Sequence, residues 1–193
     1  MKSTVAAAHR GDLGWEKDSA AGILDPSYNL GGSRYLKVCH GLKIGPLPHV
    51  DLAHEIKVQD AVRDLIREGL LKSAHDCSEG GLAVALAECC FNPEKLLGAE
   101  ISLNAGDLSA ATVLFNESQS RIVISVAPAD LEKTTSLLRD CAVPFEQLGK
   151  VAEAKLCIRV NEETFRWQIT DLYDDWWNAI RRAVEEEESI PSL

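Results

Sequence analysis

The sequence predicts an α+β fold with an α/β-like alternation: a mixed sheet with helices packed mainly on one of its faces. Three observations lead there. A strand-like stretch, a glycine pair and a helical stretch follow one another over residues 70–90. The apolar, β-branched run Ile122-Val123-Ile124-Ser125-Val126 has the composition of a buried strand. Three short strand-like stretches at 143–151, 155–160 and 164–169 then lead into a last helical stretch. Strands and helices interleaved in this way bury their apolar faces against each other in layers.

In chain order, residues 1–29 hold Gly11, Gly14, Gly22, Pro26 and mixed charges with no sustained period, and read as a weakly structured lead-in. The domain proper is expected over 30–184, opening on the turn Leu30-Gly31-Gly32-Ser33. A short helix at 35–40 gives way to a loop marked by Gly41, Gly45, Pro46 and Pro48. From Asp51, a suitable N-cap, the apolar residues Leu52, Ile56, Val62, Leu65, Ile66 and Leu70 keep helical spacing until Gly69 stops the helix. Residues 70–74 read as a strand ending at His75-Asp76, and 82–90 as a helix just after Gly80-Gly81. Residues 99–103 alternate as a strand, 108–115 read as helical, and Pro128-Ala129-Asp130 opens a helix to about 140. Asp171 is expected to cap the last helix, which carries Leu172, Trp176, Ile180 and Val184. Residues 185–193 are expected to form an acidic tail, because four consecutive glutamates at 185–188 are unfavourable at a helix C-terminus.

Composition narrows the function. The 193 residues are 46% hydrophobic and 26% charged, with 20 basic against 30 acidic side chains and a formal net charge of -10. That field repels phosphate backbones and anionic headgroups, so neither nucleic acid nor a membrane is an expected partner. No apolar run reaches the roughly 18 residues of a membrane span, and no signal core follows Met1, which points to the cytoplasm. Six cysteines without a CxxC pair read as reduced thiols, not as a zinc site.

Two polar clusters draw the chemistry. The first is Ser73-Ala74-His75-Asp76-Cys77-Ser78-Glu79-Gly80-Gly81-Leu82, between a strand and a helix. Paired glycines there admit a ligand close to the backbone, and helix-start N–H groups suit an anion, although Asp76 and Glu79 would then call for a bridging Mg²⁺. The alternative is local: Ser78 caps the helix, Asp76 binds loop N–H groups, and Gly80 and Gly81 shape the turn. The second cluster is Asn116-Glu117-Ser118-Gln119-Ser120-Arg121. Ser118 and Gln119 suit a polar ligand and Arg121 a phosphate or carboxylate, or else the run is a connecting turn in which Arg121 pairs with Glu117. His75 invites a general-base reading, but Asp76 beside it on an extended backbone faces the other way. Trp176 and Trp177 cannot share a helix face, so one packs inward and the other lies on a rim that a partner surface would cover. No P-loop, GxGxxG, GxSxG or CxxC motif is present, and no catalytic residue is assigned.

Taken together, Leu30-Gly31-Gly32-Ser33, Ser73 through Ala83, and Leu114-Phe115-Asn116-Glu117-Ser118-Gln119-Ser120-Arg121 resemble the C-terminal-type domain of the aminoimidazole ribonucleotide synthetase superfamily. Within it, the Glu-Ser-Gln-x-x-Arg version and the Trp-bearing last helix resemble the formylglycinamidine ribonucleotide synthetase branch. The resemblance implies a domain of an ATP- and Mg²⁺-dependent C–N ligase of purine biosynthesis, in which an amide becomes an amidine with glutamine-derived ammonia. It implies as partners a synthetase N-terminal-type domain, which holds most catalytic residues, and a glutaminase domain or subunit, with a homo-oligomer left open. By matched position, Glu117, Ser118 and Gln119 resemble a substrate-binding tripeptide, and Asp76, Ser78, Gly80 and Gly81 a loop facing the cleft. Residues 1–29 do not match the catalytic domain, so the isolated chain is expected to be inactive. Two alternatives stand beside this: a synthetase or kinase elsewhere in the superfamily, against which the Glu-Ser-Gln run argues, and a non-enzymatic protein-interaction module.

Overall fold

The computed structural model describes residues 4–8 and 29–188. Its elements run β1 (Thr4–Ala8), α1 (Arg34–His40), α2 (Leu52–Arg67), β2 (Leu71–Asp76), α3 (Gly81–Glu88), β3 (Gly98–Leu103), α4 (Ala110–Phe115) and β4 (Ile122–Val126). A 3-10 turn at Pro128–Asp130 then leads into α5 (Leu131–Asp140), β5 (Phe145–Ala152), β6 (Lys155–Val160), β7 (Glu163–Gln168) and α6 (Ile169–Glu188). The strands form one mixed sheet in the order β2-β4-β1-β5-β3-β6-β7, with β3 and β6 parallel and every other pair antiparallel.

The alternation of side chains along β4 separates two cores. Val123 faces the core built by Leu82, Ala85 and Leu86 of α3, Val113 and Leu114 of α4, and the inner faces of β3 and β6. Ile124 and Val126 face the other, against Val58, Ala61 and Leu65 of α2 and Leu138 of α5. The expected α+β class with a mixed sheet is what forms, and the one-sided helix packing holds for half of it. Over β3 and β5–β7 the side away from α3 and α4 is an open trough of about 660 Å³, floored by Glu100, Ser102, Gln147 and Arg159. Across β4 helices pack on both faces, α3 and α4 on one and α2 and α5 on the other, while β2 at the sheet edge stays largely exposed.

Helix boundaries follow local chemistry. Asp51 caps α2 by accepting from the N–H groups of Ala53 and His54, both at 3.1 Å. Gly69, at φ +69°, stops it while Leu70 N–H reaches back to Leu65 O. Two expectations are corrected. Within the segment expected to be a weakly structured lead-in, Thr4–Ala8 is a strand lying between β4 and β5 in the middle of the sheet. Its alanine-rich composition carries little strand propensity, and pairing on both edges overrides it; the expectation for 9–28 lies outside the described residues. The last helix begins at Ile169, whose N–H bonds Ala154 O, so Asp171 sits inside its first turn instead of capping it. It also continues through Glu188, since glutamate is a good helix former and no Gly or Pro interrupts the run; residues 189–193 of the expected acidic tail lie outside the described residues.

A cleft between two polar loops

The two sequence clusters lie on neighbouring turns. Antiparallel pairing of β2 with β4 sets Asp76 opposite Ile122, and Cys77 N–H donates to Arg121 O at 2.9 Å. The β2–α3 loop and the α4–β4 loop therefore leave the same end of the sheet. Between them is a cleft of about 470 Å³ lined by Asp76, Cys77, Ser78, Glu79, Glu117, Gln119, Ser120 and Arg121, with Glu55 and Gln59 of α2 as a further wall.

Glu117 ties the loops together. Its Oε1 accepts from the Gly80 N–H and from the Arg34 N–H, each at 2.8 Å. Arg34 Nε meanwhile donates to Glu79 Oε2 at 2.7 Å. The Glu117 carboxylate thus occupies the anion position that the sequence assigns to a phosphate at the start of α3, and Gly81 N–H is taken by Ser78 O at 3.0 Å. Ser78 does not cap α3 with its side chain: the N-cap is Gly80, at φ +83° with no side-chain cap bond. Gly81 allows a closer approach than any other residue would, because a Cβ there would lie 2.5 Å from Asn116 O and 2.9 Å from Leu114 O.

Arg121 is buried, and its guanidinium turns back on its own loop: Nη2 donates to Asn116 O and Nε to Ser118 O at 3.4 Å. These bonds make the guanidinium a brace of its own loop. Fully buried Asn116 completes the hold, its Oδ1 accepting from Ser118 N–H at 2.9 Å and its Nδ2 donating to Asn29 O. Gln119 is exposed in the cleft and its side chain makes no hydrogen bond among the described residues. His75 stands apart, with Nδ1 2.7 Å from Asp76 O and Nε2 3.2 Å from Glu88. Arg34, Glu55 and Gln59 are the site residues that sequence reading missed, and Asn116 was named in the second cluster without a role of its own. The apolar spacing of α2 says nothing of Glu55.

Burial pushes the Cys77 thiol up, opposed by the Arg121 guanidinium and reinforced by the Asp76 carboxylate. Burial likewise drives Cys89 up to about 12 and Cys90 up to about 11. All six cysteines are free thiols, as expected. Four carboxylates line the cleft, but Glu55, Glu79 and Glu117 are engaged in the bonds above or with Ser120 and Gln59. Among the described residues no three His, Cys, Asp or Glu side chains are placed to hold a metal ion, so these residues do not make a magnesium cage. What the cleft offers a ligand is a set of neutral and acidic hydrogen-bonding groups on two mutually braced loops.

The family model described as AIR synthase related protein, C-terminal domain, matches residues 23–160. The chain is 42% identical over 152 residues to the phosphoribosylformylglycinamidine synthase subunit PurL of Moorella thermoacetica, which covers 78% of this chain and 20% of that protein. Identity to the PurL subunit of Salinibacter ruber is 46% over 134 residues, covering 68% of this chain and 17% of that one. Among solved structures, Thermotoga maritima PurL complexed with ATP shares the fold, with a TM-score of 0.62 at 17% identity over 89% of this chain and 25% of that chain. The chain spans about a fifth of the length of the curated relatives it matches. With most of its residues matched by the family model, and with both polar loops of the cleft inside the match, the chain belongs to the AIR synthase related protein C-terminal domain family.

Proposed function

We propose that this chain is the C-terminal-type domain of a phosphoribosylformylglycinamidine synthase, an ATP-dependent C–N ligase of purine biosynthesis acting in the cytoplasm. The observation that carries the reading is the meeting of the Asp76–Gly81 and Glu117–Arg121 loops in one cleft, in a chain 42% identical to a PurL subunit. In this reading ATP phosphorylates the amide oxygen of the substrate, and ammonia released from glutamine then displaces it to leave the amidine. The chain's own residues bind and orient. Gln119 offers its amide to the polar substrate from one wall, next to Ser118, which the resemblance alone brings into the site, and Asp76 and Ser78 line the opposite wall. Glu117, Asn116 and Arg121 keep both loops in place, so little ordering entropy remains to be lost on binding. The proton-transfer and phosphate-binding groups come from an N-terminal-type domain, and ammonia from a glutaminase domain or subunit. The isolated chain is therefore inactive.

The test is a graft in which the whole 193-residue chain, β1 included, replaces the matching segment of the Moorella thermoacetica PurL subunit, assayed for amidine formation with its glutaminase partner. The graft is expected to be active, Gln119→Ala to lower kcat/KM at least tenfold, and the isolated chain to show no turnover. A folded, active graft in which Gln119→Ala and Asp76→Ala both retain full kcat/KM would refute the assignment of the cleft.

A further inference from the structure

The two halves of the α4–β4 loop are held by different means. Asn116, Arg121 and the Gly80–Glu117–Arg34 bonds hold its first half. The second half contains Ser120, a non-glycine residue at φ +62°, where the Cβ crowds the following carbonyl. Such a conformation persists only where its surroundings impose it. Here the Ser120 hydroxyl donates to Glu55 Oε2, across 65 residues of sequence. The other oxygen of Glu55 accepts from Gln59 Nε2 at 2.6 Å, which fixes the carboxylate. Glu55 in turn stands on the first turn of α2, with its N–H bonded to Asp51 O at 2.9 Å and that turn capped by Asp51.

We infer that Glu55 is a positioning residue: by holding Ser120 in the left-handed conformation it fixes the course of the loop and presents the adjacent Gln119 to the cleft. Its consequence for substrate rests on the function proposed above, but the ordering of the loop does not. Backbone ¹⁵N relaxation of the full 193-residue chain tests it. Glu55→Ala is expected to lower the order parameters of Gln119 and Ser120 from about 0.85 to below about 0.6, with Val58 and Ile124 unchanged. Glu55→Gln, which keeps an accepting oxygen, is expected to restore them. In a Ser120→Gly background, where glycine takes this φ unaided, Glu55→Ala is expected to add nothing. The proposal is overturned if Glu55→Ala leaves the loop rigid, if Val58 and Ile124 loosen equally, if glutamine fails to rescue, or if the effect is the same with glycine at 120. These readouts need no turnover: a loop ordered through Glu55 in an inactive graft upholds the positioning role and counts against the proposed function instead.

Discussion

Gly81 is where α3 and the end of α4 touch with no space for a side chain. Its φ of +63° and the backbone oxygens within 3 Å of a built Cβ combine two costs. The left-handed backbone costs an alanine about 1–2 kcal/mol, and forcing atoms into a packed contact costs about 1–3 kcal/mol more. Gly81→Ala is thus expected to lose about 2–5 kcal/mol in urea unfolding. Gly106→Ala, at φ +53° with nothing within 4 Å, is expected to lose only the backbone part. Equal losses at the two positions would rule out the contact explanation. Glu146 carries a pH dependence. Burial pushes its carboxyl up to about 7, above its unfolded value of about 4.3. The folded chain therefore holds a proton that the unfolded chain releases, and stability falls as pH rises between those values, with the penalty complete above the higher one. Glu146→Gln is expected to raise Tm near pH 8 and to leave it unchanged near pH 4, and an equal shift at both would exclude burial as the cause. At this scale the sequence named Asp76, Ser78, Glu117, Gln119 and Arg121 of the cleft, but neither the α2 wall nor the bonds by which Arg121 braces its own loop. A guanidinium aimed at its own loop has the same one-dimensional signature as one aimed at a ligand. Nor does anything in the α2 pattern announce that Glu55 faces a loop 65 residues away.

Among the elements, α6 is held along only part of its length. Trp176 packs on Phe91 at 5.4 Å and on Tyr173 at 6.0 Å between ring centroids, and its Nε1 donates to Glu88 Oε1 at 3.1 Å. Trp177 stacks on Tyr173 yet remains 65% exposed, and Ile180 is 81% exposed. Trp176→Ala is expected to cost about 2 kcal/mol, roughly half the figure for a fully buried tryptophan. Ile180→Ala is expected to stay within about 0.5 kcal/mol. Urea unfolding of both variants decides the matter, since comparable losses would mean that the far half of the helix is packed as well. Both tryptophans are exposed, Trp176 at 48% and Trp177 at 65%, and both stack on Tyr173, so adjacency on the helix does not send one of them inward as the sequence suggests. β4 and β6 were legible, since their apolar content survives any reasonable choice of register. What alanine-rich β1 pairs with was not, because its place depends on edges supplied by distant strands.

In the molecule as a whole, β1 is the element that makes one sheet out of two. β2 and β4 lie on one side of it and β5, β3, β6 and β7 on the other. Ala6 is paired with Ile124 on one edge and Gln147 on the other. Ala6→Pro removes a donor in mid-sheet, at a cost of about 3 kcal/mol or more. It is expected to split a single unfolding transition into two, seen as fluorescence and circular dichroism curves that no longer coincide. A single transition at unchanged urea midpoint would be incompatible with a central β1. The same placement governs timing. Thr4 must find Val126 and Lys150, so the contacts that close the sheet span most of the chain, and their loop-closure entropy slows folding. On a ribosome adding roughly 5–20 residues per second, β1 waits several seconds for β5. During that interval the unpaired edge of β1 is open to other nascent chains, which makes slow elongation on crowded ribosomes the condition under which misassembly is expected.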